Sequence, residues 1–215
     1  LIDFEVSMVA GRKRCFDEQQ ALEAAMRVFW QKGYAGASLM DLTQSMGINK
    51  PSMYAAFGNK EQLFIRATEN YIANYAAVHA NHLQDDSQPL IQRLKRFMHS
   101  AVTSQCGEHG PKGCYLSMGL SEMAGEEIPE AACQVLEQAK LLTEDLFHDT
   151  FVVAQKRDQL ATTANARHLA QYLATFLHGT AAMARAGKTL DELSQTIKVA
   201  LSVIPAQDSL AAEDA

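Results

Sequence analysis

The sequence predicts an all-α protein of about nine helices, and three observations predict it. Apolar residues recur every three to four positions along most of the chain, and no segment alternates with the period of a strand. Hydrophobic residues make up 47% of the 215 and aromatics 7%, and the abundance of Ala favours helices over sheets. Glycine, proline and capping residues interrupt the pattern at intervals of helical length.

The first helix is read over about 17–32, with Leu22, Ala25, Met26 and Phe29 on one face and Gly33 at its end. The second opens behind Ser38, a good N-cap, and places Leu39, Leu42 and Met46 on a buried face. Gly47 supplies the permissive backbone of a helix end, and Ile48 plugs the gap between neighbours. Asn49 caps a third helix with Pro51 in its first turn, where a missing N–H costs nothing. That helix ends near Phe57 and Gly58, about two turns long and too short to be stable alone. A short, capped, partly exposed helix behind a glycine turn is what a helix-turn-helix presents to the DNA major groove.

The fourth helix starts near Asn59 and Lys60, with a stripe of Leu63, Phe64, Ala67, Tyr71, Tyr75 and Val78 long enough to enter a second domain; His79 and His82 on it read as solvated. The fifth follows Pro89 and carries Leu90, Leu94, Phe97, Ala101 and Val102. A glycine-rich break over 106–113 precedes a short sixth helix over about 114–124. The seventh is expected over about 129–159, with Val135, Leu136, Leu142, Leu146 and Phe151 as its apolar positions. The eighth spans about 165–186 and the ninth about 190–203, where Pro205 stops it.

The run D-L-x-x-x-M-G-I-N-K-P-S-M-Y-x-x-F-G-N-K-E-x-L over 41–63 resembles the DNA-binding signature of the TetR/AcrR family of bacterial repressors. Asp41, Gly47, Tyr54, Phe57, Lys60, Glu61 and Leu63 all sit at that family's spacing. The resemblance implies an N-terminal three-helix helix-turn-helix domain followed by a helical ligand-binding and dimerisation domain. It implies a ligand-responsive regulator, most simply a repressor that binds a palindromic operator as a homodimer and is released by a small molecule. By its place in the motif, Ser38 would donate to a phosphate, Tyr54 would touch phosphate through its hydroxyl, and Lys60 would pair with another. Asn49, Lys50, Pro51 and Ser52 open the recognition helix, with Lys50 and Ser52 facing outward as candidates for base edges. Met53 and Phe57 face inward. Ala55 and Ala56 depart from the pattern, since many relatives carry His or Tyr there.

The expected organisation is a flexible basic arm over 1–14, the DNA-binding domain over 15–60, the sensing and dimerisation domain over 61–205, and a disordered acidic tail over 206–215. Residues 1–7 show no helical pattern, and Met8 is a candidate native start, which leaves open whether 1–7 are native. Arg12, Lys13 and Arg14 resemble the arm that precedes the first helix in some members of this family; such an arm can reach a narrow minor groove, while a solubilising tail is the bland alternative. Net charge is −6, yet residues 10–60 hold seven basic and four acidic side chains, against twelve and nineteen in 61–215. A basic head on an acidic body orients the molecule on DNA. No apolar run reaches membrane-spanning length and no secretory signal is visible, which predicts a cytoplasmic protein with its four cysteines reduced.

Leu169, Leu173, Leu177, Ala181 and Ala184 on the eighth helix, with Leu193, Ile197, Ala200, Leu201 and Ile204 on the ninth, form stripes suited to a dimer seam or to packing within one chain. The resemblance favours the seam, because family members dimerise through their last two long helices. A small-molecule effector is expected in a cavity of the body, with Tyr71, Tyr75, Phe97, Met98, Cys114, Tyr115, Phe147, Phe151, Tyr172 and Phe176 as candidate lining. Cys114 opens the sixth helix, where the helix dipole favours a thiolate. The region from Cys106 to Met123 also faintly resembles the N-ethylmaleimide-responsive repressors of the family, so a thiol-based sensor of electrophiles is an alternative beside plain packing. Cys106, His109 and Cys114 match no closed metal-site spacing, and no metal or cofactor is expected. No hydrolase, metalloprotease, P-loop or dinucleotide motif is present, so an enzyme is not expected. A helical protein-binding adaptor would leave the cluster from Lys50 to Lys60 without a purpose.

Overall fold

In the computed structural model, which describes residues 16–207 except 86, 109 and 126, Asp17 starts the first helix by accepting from the backbone of Gln19 and Gln20. α1 (Glu18–Gly36) carries one break, at Gly33, whose φ of 73° and ψ of −179° lie outside the helical region. α2 (Leu39–Met46) begins with a reciprocal cap between Ser38 and Asp41 and ends at Gly47, left-handed at φ 67°. α3 (Lys50–Phe57) is capped by Asn49, and Asn59 and Gln62 cap the helix after it. That helix, α4, is one rod built from Lys60–Tyr71, a π-helical turn over Ile72–Ala76, and Ala77–Gln84. α5 (Leu90–Gln105), α6 (Tyr115–Glu122), α7 (Glu130–Lys156), α8 (Ala166–Arg185) and α9 (Leu190–Ser202) follow. Nine helices, with α4 counted once, and one isolated bridge between Leu160 and Ala206 make up the regular structure of the described residues. Arg12, Lys13, Arg14, Cys15, His109 and the tail from 208 lie outside them.

Two apolar clusters hold the chain together, and their border does not fall between α3 and α4. The first joins Leu22, Met26 and Phe29 of α1, Leu42, Met53 and Phe57 of the helix-turn-helix, Leu63 and Phe64 of α4, Tyr115 and Leu116 of α6, and Leu136 of α7. The second joins Leu83 to α5, the later turns of α7, α8 and α9. Helices α4 and α7 therefore belong to both halves, and α6 packs into the core that carries the head.

The apolar stripe expected on α4 departs from the sequence pattern after Tyr71. A π turn inserts one extra residue per turn and rotates everything beyond it. Tyr75 still packs against the first cluster, but His79 and Leu83 take the inward positions that a straight α-helix would have given to Val78 and His82, and Val78 is 49% exposed. His79 is not solvated as expected: it is half-buried and its Nδ1 lies 2.8 Å from the Ser100 hydroxyl. On α7, Leu142 is exposed, because the buried row runs through Leu136, Ala139, Phe147 and Phe151.

The stripes assigned to a dimer seam are used inside the single chain. Leu173, Ala181, Ala184, Leu193, Ile197, Ala200, Leu201 and Ile204 are all buried, most of them in the second cluster, and Leu169 and Leu177 are half-buried against it. Helical periodicity finds an apolar face but not its neighbour. The apolar side chains that α8 and α9 leave bare are Tyr172, Met183, Val199 and Val203.

A Cβ added at Gly33 would fall 2.1 Å from the Glu122 carboxylate, on a backbone that L-residues rarely adopt. Gly33→Ala is expected to lower stability by about 1–3 kcal/mol, read as a shift of the urea midpoint. Gly36→Ala, where the nearest atom would be 3.6 Å away, should change it by less than about 0.5 kcal/mol. Equal effects at the two sites would show that the break is not required.

Candidate nucleic-acid interface and body cavity

The head presents α3 as expected. Met53 and Phe57 are buried in the first cluster, while Lys50, Pro51, Tyr54 and Ala55 are exposed along the opposite side and Ser52 is half-exposed. The Asn49 carboxamide oxygen accepts from the Ser52 N–H at 2.9 Å, so Asn49 sets the start of the helix with that atom. Ser38 differs from the expectation. Its hydroxyl donates to Asp41 Oδ2 at 2.7 Å and accepts from the Asp41 N–H at 3.0 Å, so its proton is committed to the cap and not free for a phosphate. Asp41 in turn meets Lys32 Nζ at 2.6 Å; that contact and the Ser38 hydrogen bonds hold its carboxyl down to about 2. Lys60 also departs from a freely projecting cation: Nζ lies 4.4 Å from the centre of the Tyr34 ring, half-buried, and partial burial lowers its pKa.

One residue that fixes α3 escaped the sequence reading. Arg66, on α4, donates from Nη1 to the Ala56 carbonyl at 2.9 Å and lies 4.7 Å over the Phe57 ring. It thereby ties down the last turn of the recognition helix. The spacing of Phe57 and Arg66 across a helix junction carries no periodic signal, so sequence could not have paired them.

The break at Gly33 joins head to body. In an unbroken helix the Tyr34 N–H would donate to the Trp30 carbonyl. Here the Tyr34 N–H donates to Glu122 Oε2 of α6 at 2.7 Å. The Trp30 carbonyl accepts from Arg185 Nη1 of α8 at 3.0 Å, and the Gln31 carbonyl from Nη2 at 2.6 Å. The backbone groups released by the break are thus claimed by two charged side chains of the body. The Trp30 ring adds an edge-on contact to Tyr71, with centroids 5.0 Å apart, and Tyr71 stacks on Tyr115 at 5.2 Å.

Below this junction lie two spaces. An inner cavity of about 80 Å³ is lined by Tyr71, His79, Phe97, Leu146 and Leu177 among others, and an outer cleft of about 560 Å³ opens between α6, α7 and α8. Cys114, Ser117 and His178 belong to both. Of the expected lining, Tyr71, Phe97 and Cys114 face the inner cavity. Met98, Tyr115, Phe147 and Phe151 are buried as packing; burial pushes the Tyr115 phenol up, and its hydroxyl lies 3.0 Å from that of Thr68. Tyr75 pairs with Glu23 of α1, Tyr172 lies on the outside of α8 and donates to the Ala200 carbonyl at 3.2 Å, and Phe176 is half-buried against the second cluster. Ser117, Lys140, His178 and Arg185 were missed, although His178, Ala181, Ala182 and Arg185 share one helical face that could have been noticed. The Cys114 sulfur accepts from the Tyr71 hydroxyl at 3.4 Å. Among the described residues no cluster of His, Cys, Asp or Glu could hold a metal ion.

Comparison with known proteins agrees with this arrangement. Residues 21–67 match the profile of bacterial regulatory proteins of the tetR family. The chain is 30% identical over 194 residues to the HTH-type transcriptional repressor BdcR of Escherichia coli K12, covering 90% of this chain and 92% of that one. It is 28% identical over 195 residues to the repressor ComR of the same organism, covering 91% and 92%. Among solved structures, a cysteine mutant of the TetR family transcriptional regulator CifR, complexed with 26-bp operator DNA, superposes with a TM-score of 0.84 at 31% identity. It covers 91% of this chain and all of that one. These relatives are transcription regulators. The chain belongs to the TetR family of bacterial regulatory proteins.

Proposed function

We propose that this regulator represses transcription by binding a palindromic operator as a homodimer, in the cytoplasm, and lets go when a small molecule occupies the body. The observation that carries the reading is α3: a two-turn helix pinned at its start by Asn49 and at its end by Arg66, with Lys50, Pro51, Tyr54 and Ala55 left bare. A helix this short, clamped at both ends with one side bare, is the form a helix-turn-helix presents to the major groove. In support, no helix of the described residues is long and apolar enough to cross a membrane, and CifR was captured on operator DNA. Lys50 is assigned to a base edge and Tyr54 to a phosphate. Lys60 reaches a phosphate only by leaving the Tyr34 ring, Ser38 contributes its helix N-terminus instead of its hydroxyl, and Arg12, Lys13 and Arg14 are assigned to the neighbouring minor groove.

The second copy is assigned to the bare face of α8 and α9. Tyr172, Phe176, Gly179 and Met183 recur at helical spacing on α8, and Val199 and Val203 continue the strip on α9. Two such pairs would bury the strip in a four-helix seam and set two α3 helices at a fixed separation for two half-sites. Tyr71, Phe97 and Cys114 on the inner cavity are the assigned effector contacts. Because α4 and α6 belong to the head's apolar cluster, a ligand that favours a different packing of either shifts the head's position.

Cys114 supports a second reading, since its sulfur lies on the wall shared by both spaces. Addition of that sulfur across the double bond of N-ethylmaleimide would fill this wall.

Operator DNA selected from a random pool tests the main reading, by fluorescence anisotropy at several salt concentrations. Lys50→Ala should cost about 1–3 kcal/mol on the selected sequence and relax preference at one base step. Tyr54→Phe should cost about 1 kcal/mol on all sequences alike. A uniform loss for Lys50→Ala would reassign it to phosphate. For the dimer, Val199→Asp with Met183→Asp should give a monomer in sedimentation and weaken operator binding more than about tenfold; a dimer that persists would place the seam elsewhere. For the thiol reading, N-ethylmaleimide should release operator from wild type and not from Cys114→Ser, with Cys15→Ser included to exclude a block in the head. Equal release from both would leave Cys114 as a packing residue.

A further inference from the structure

The outer cleft is lopsided in a way that selects a ligand. On one side stand Lys140 of α7 and Arg185 of α8, with Glu137 as the one carboxylate in the lining. On the other side Met118, Leu120 and Met123 give an apolar wall, and behind Ser117 and His178 the inner cavity continues apolar. Lys140 has no ion-pair partner among the described residues. Burial and then Lys140 lower the pKa of the His178 imidazole, against an opposing effect of Glu144, and its Nδ1 lies 2.7 Å from the Ser117 hydroxyl. The cleft thus offers two cations against one carboxylate, beside an apolar surface, a chemistry that suits an organic anion.

Arg185 makes the cleft more than a binding surface. The residue lines the cleft while its two terminal nitrogens hold the Trp30 and Gln31 carbonyls at the end of the straight part of α1. A carboxylate is a stronger acceptor than a peptide carbonyl and matches the guanidinium fork with two oxygens. An anion held by both terminal nitrogens would turn the fork and so weaken its two bonds to α1. The geometry points to a short amphipathic carboxylate as the effector class, its acid group held by Lys140 and Arg185 and its apolar body against Met118 and Met123, so that Arg185 is drawn off α1 and the head is released. The inference rests on the reading of the body as an effector sensor; it seats the acid group in the outer cleft, next to the inner-cavity contacts across the shared wall at Cys114, and assigns that sensor its ligand chemistry and its relay.

Octanoate and benzoate are the probes, with octanol and benzyl alcohol as uncharged matches, all on the full-length protein. In calorimetry without DNA, each carboxylate should bind at least about tenfold more tightly than its alcohol, the size of one charge-assisted hydrogen bond. Lys140→Gln should abolish that preference and Lys140→Arg should restore it. In anisotropy with the selected operator, saturating octanoate should weaken DNA binding by at least about fivefold. Arg185→Gln should weaken DNA binding without ligand and remove octanoate's further effect. Failure of both carboxylates to bind, equal binding of acid and alcohol, or unchanged octanoate binding by Lys140→Gln would overturn the ligand class. Octanoate bound with operator affinity unchanged would overturn the relay. A protein that binds octanoate through Lys140 but no duplex DNA would instead overturn the repressor reading while the cleft assignment stands.

Discussion

The structure depends on one interrupted helix. At Gly33 the backbone of α1 leaves the helical path, and the groups this frees are not returned to solvent but taken by Glu122 and Arg185. An unpartnered buried N–H or carbonyl costs roughly 1–3 kcal/mol, so the break can persist only while α6 and α8 stay in place. The head's orientation is thereby fixed by backbone hydrogen bonding to the body as well as by apolar packing. Packing alone tolerates small slides of one helix on another. Hydrogen bonds weaken steeply as the angle at the donor closes toward about 120°, which makes the junction sensitive to small rotations of α1 against the body.

Much of the head was legible because its determinants are local. Ser38, Gly47, Asn49 and Gly58 mark helix ends by their own conformational preferences, and each stands at a boundary in the structure. What failed there failed for a reason of partnership. The motif gives Ser38 a hydroxyl near DNA but does not say that Asp41 already holds its proton. It gives Lys60 a charge, yet Tyr34, far away in sequence and close in space, decides where that charge rests. Arg66 was invisible for the same reason, since a side chain that caps another element leaves no periodic trace.

The body was legible in outline only. Apolar periodicity located α5 to α9 within a few residues, but it cannot distinguish a stripe buried in its own chain from one buried against a copy. Leu173, Ile197 and Leu201 went to the former, and Tyr172, Met183, Val199 and Val203, which the chain leaves bare, do not read as one stripe because Ala182 and Ser202 stand beside them. The π turn in α4 shows a second limit. One inserted residue moved Val78 out and His79 in, and no rule of composition announces such a turn. The cavity inherits both uncertainties, since its walls come from five helices whose facing sides depend on register.

Energetics set how such a junction can signal. Coupling between an effector and DNA need be only about 1–3 kcal/mol to change operator affinity roughly 5- to 150-fold. The two bonds from Arg185 to α1 and the one from Glu122 are charge-assisted, and a hydrogen bond to a charged group contributes about 1.5–3 kcal/mol. Loss of one of them is therefore sufficient, and unfolding of the head is not required. The remaining contacts, Trp30 on Tyr71 and Tyr71 on Tyr115, are non-directional enough to survive a small rotation of α1. A regulator built this way keeps its domains attached through the aromatic stack and sets their angle through the hydrogen bonds. A ligand that acts on the hydrogen bonds then moves the recognition helix without destabilising the fold that carries it.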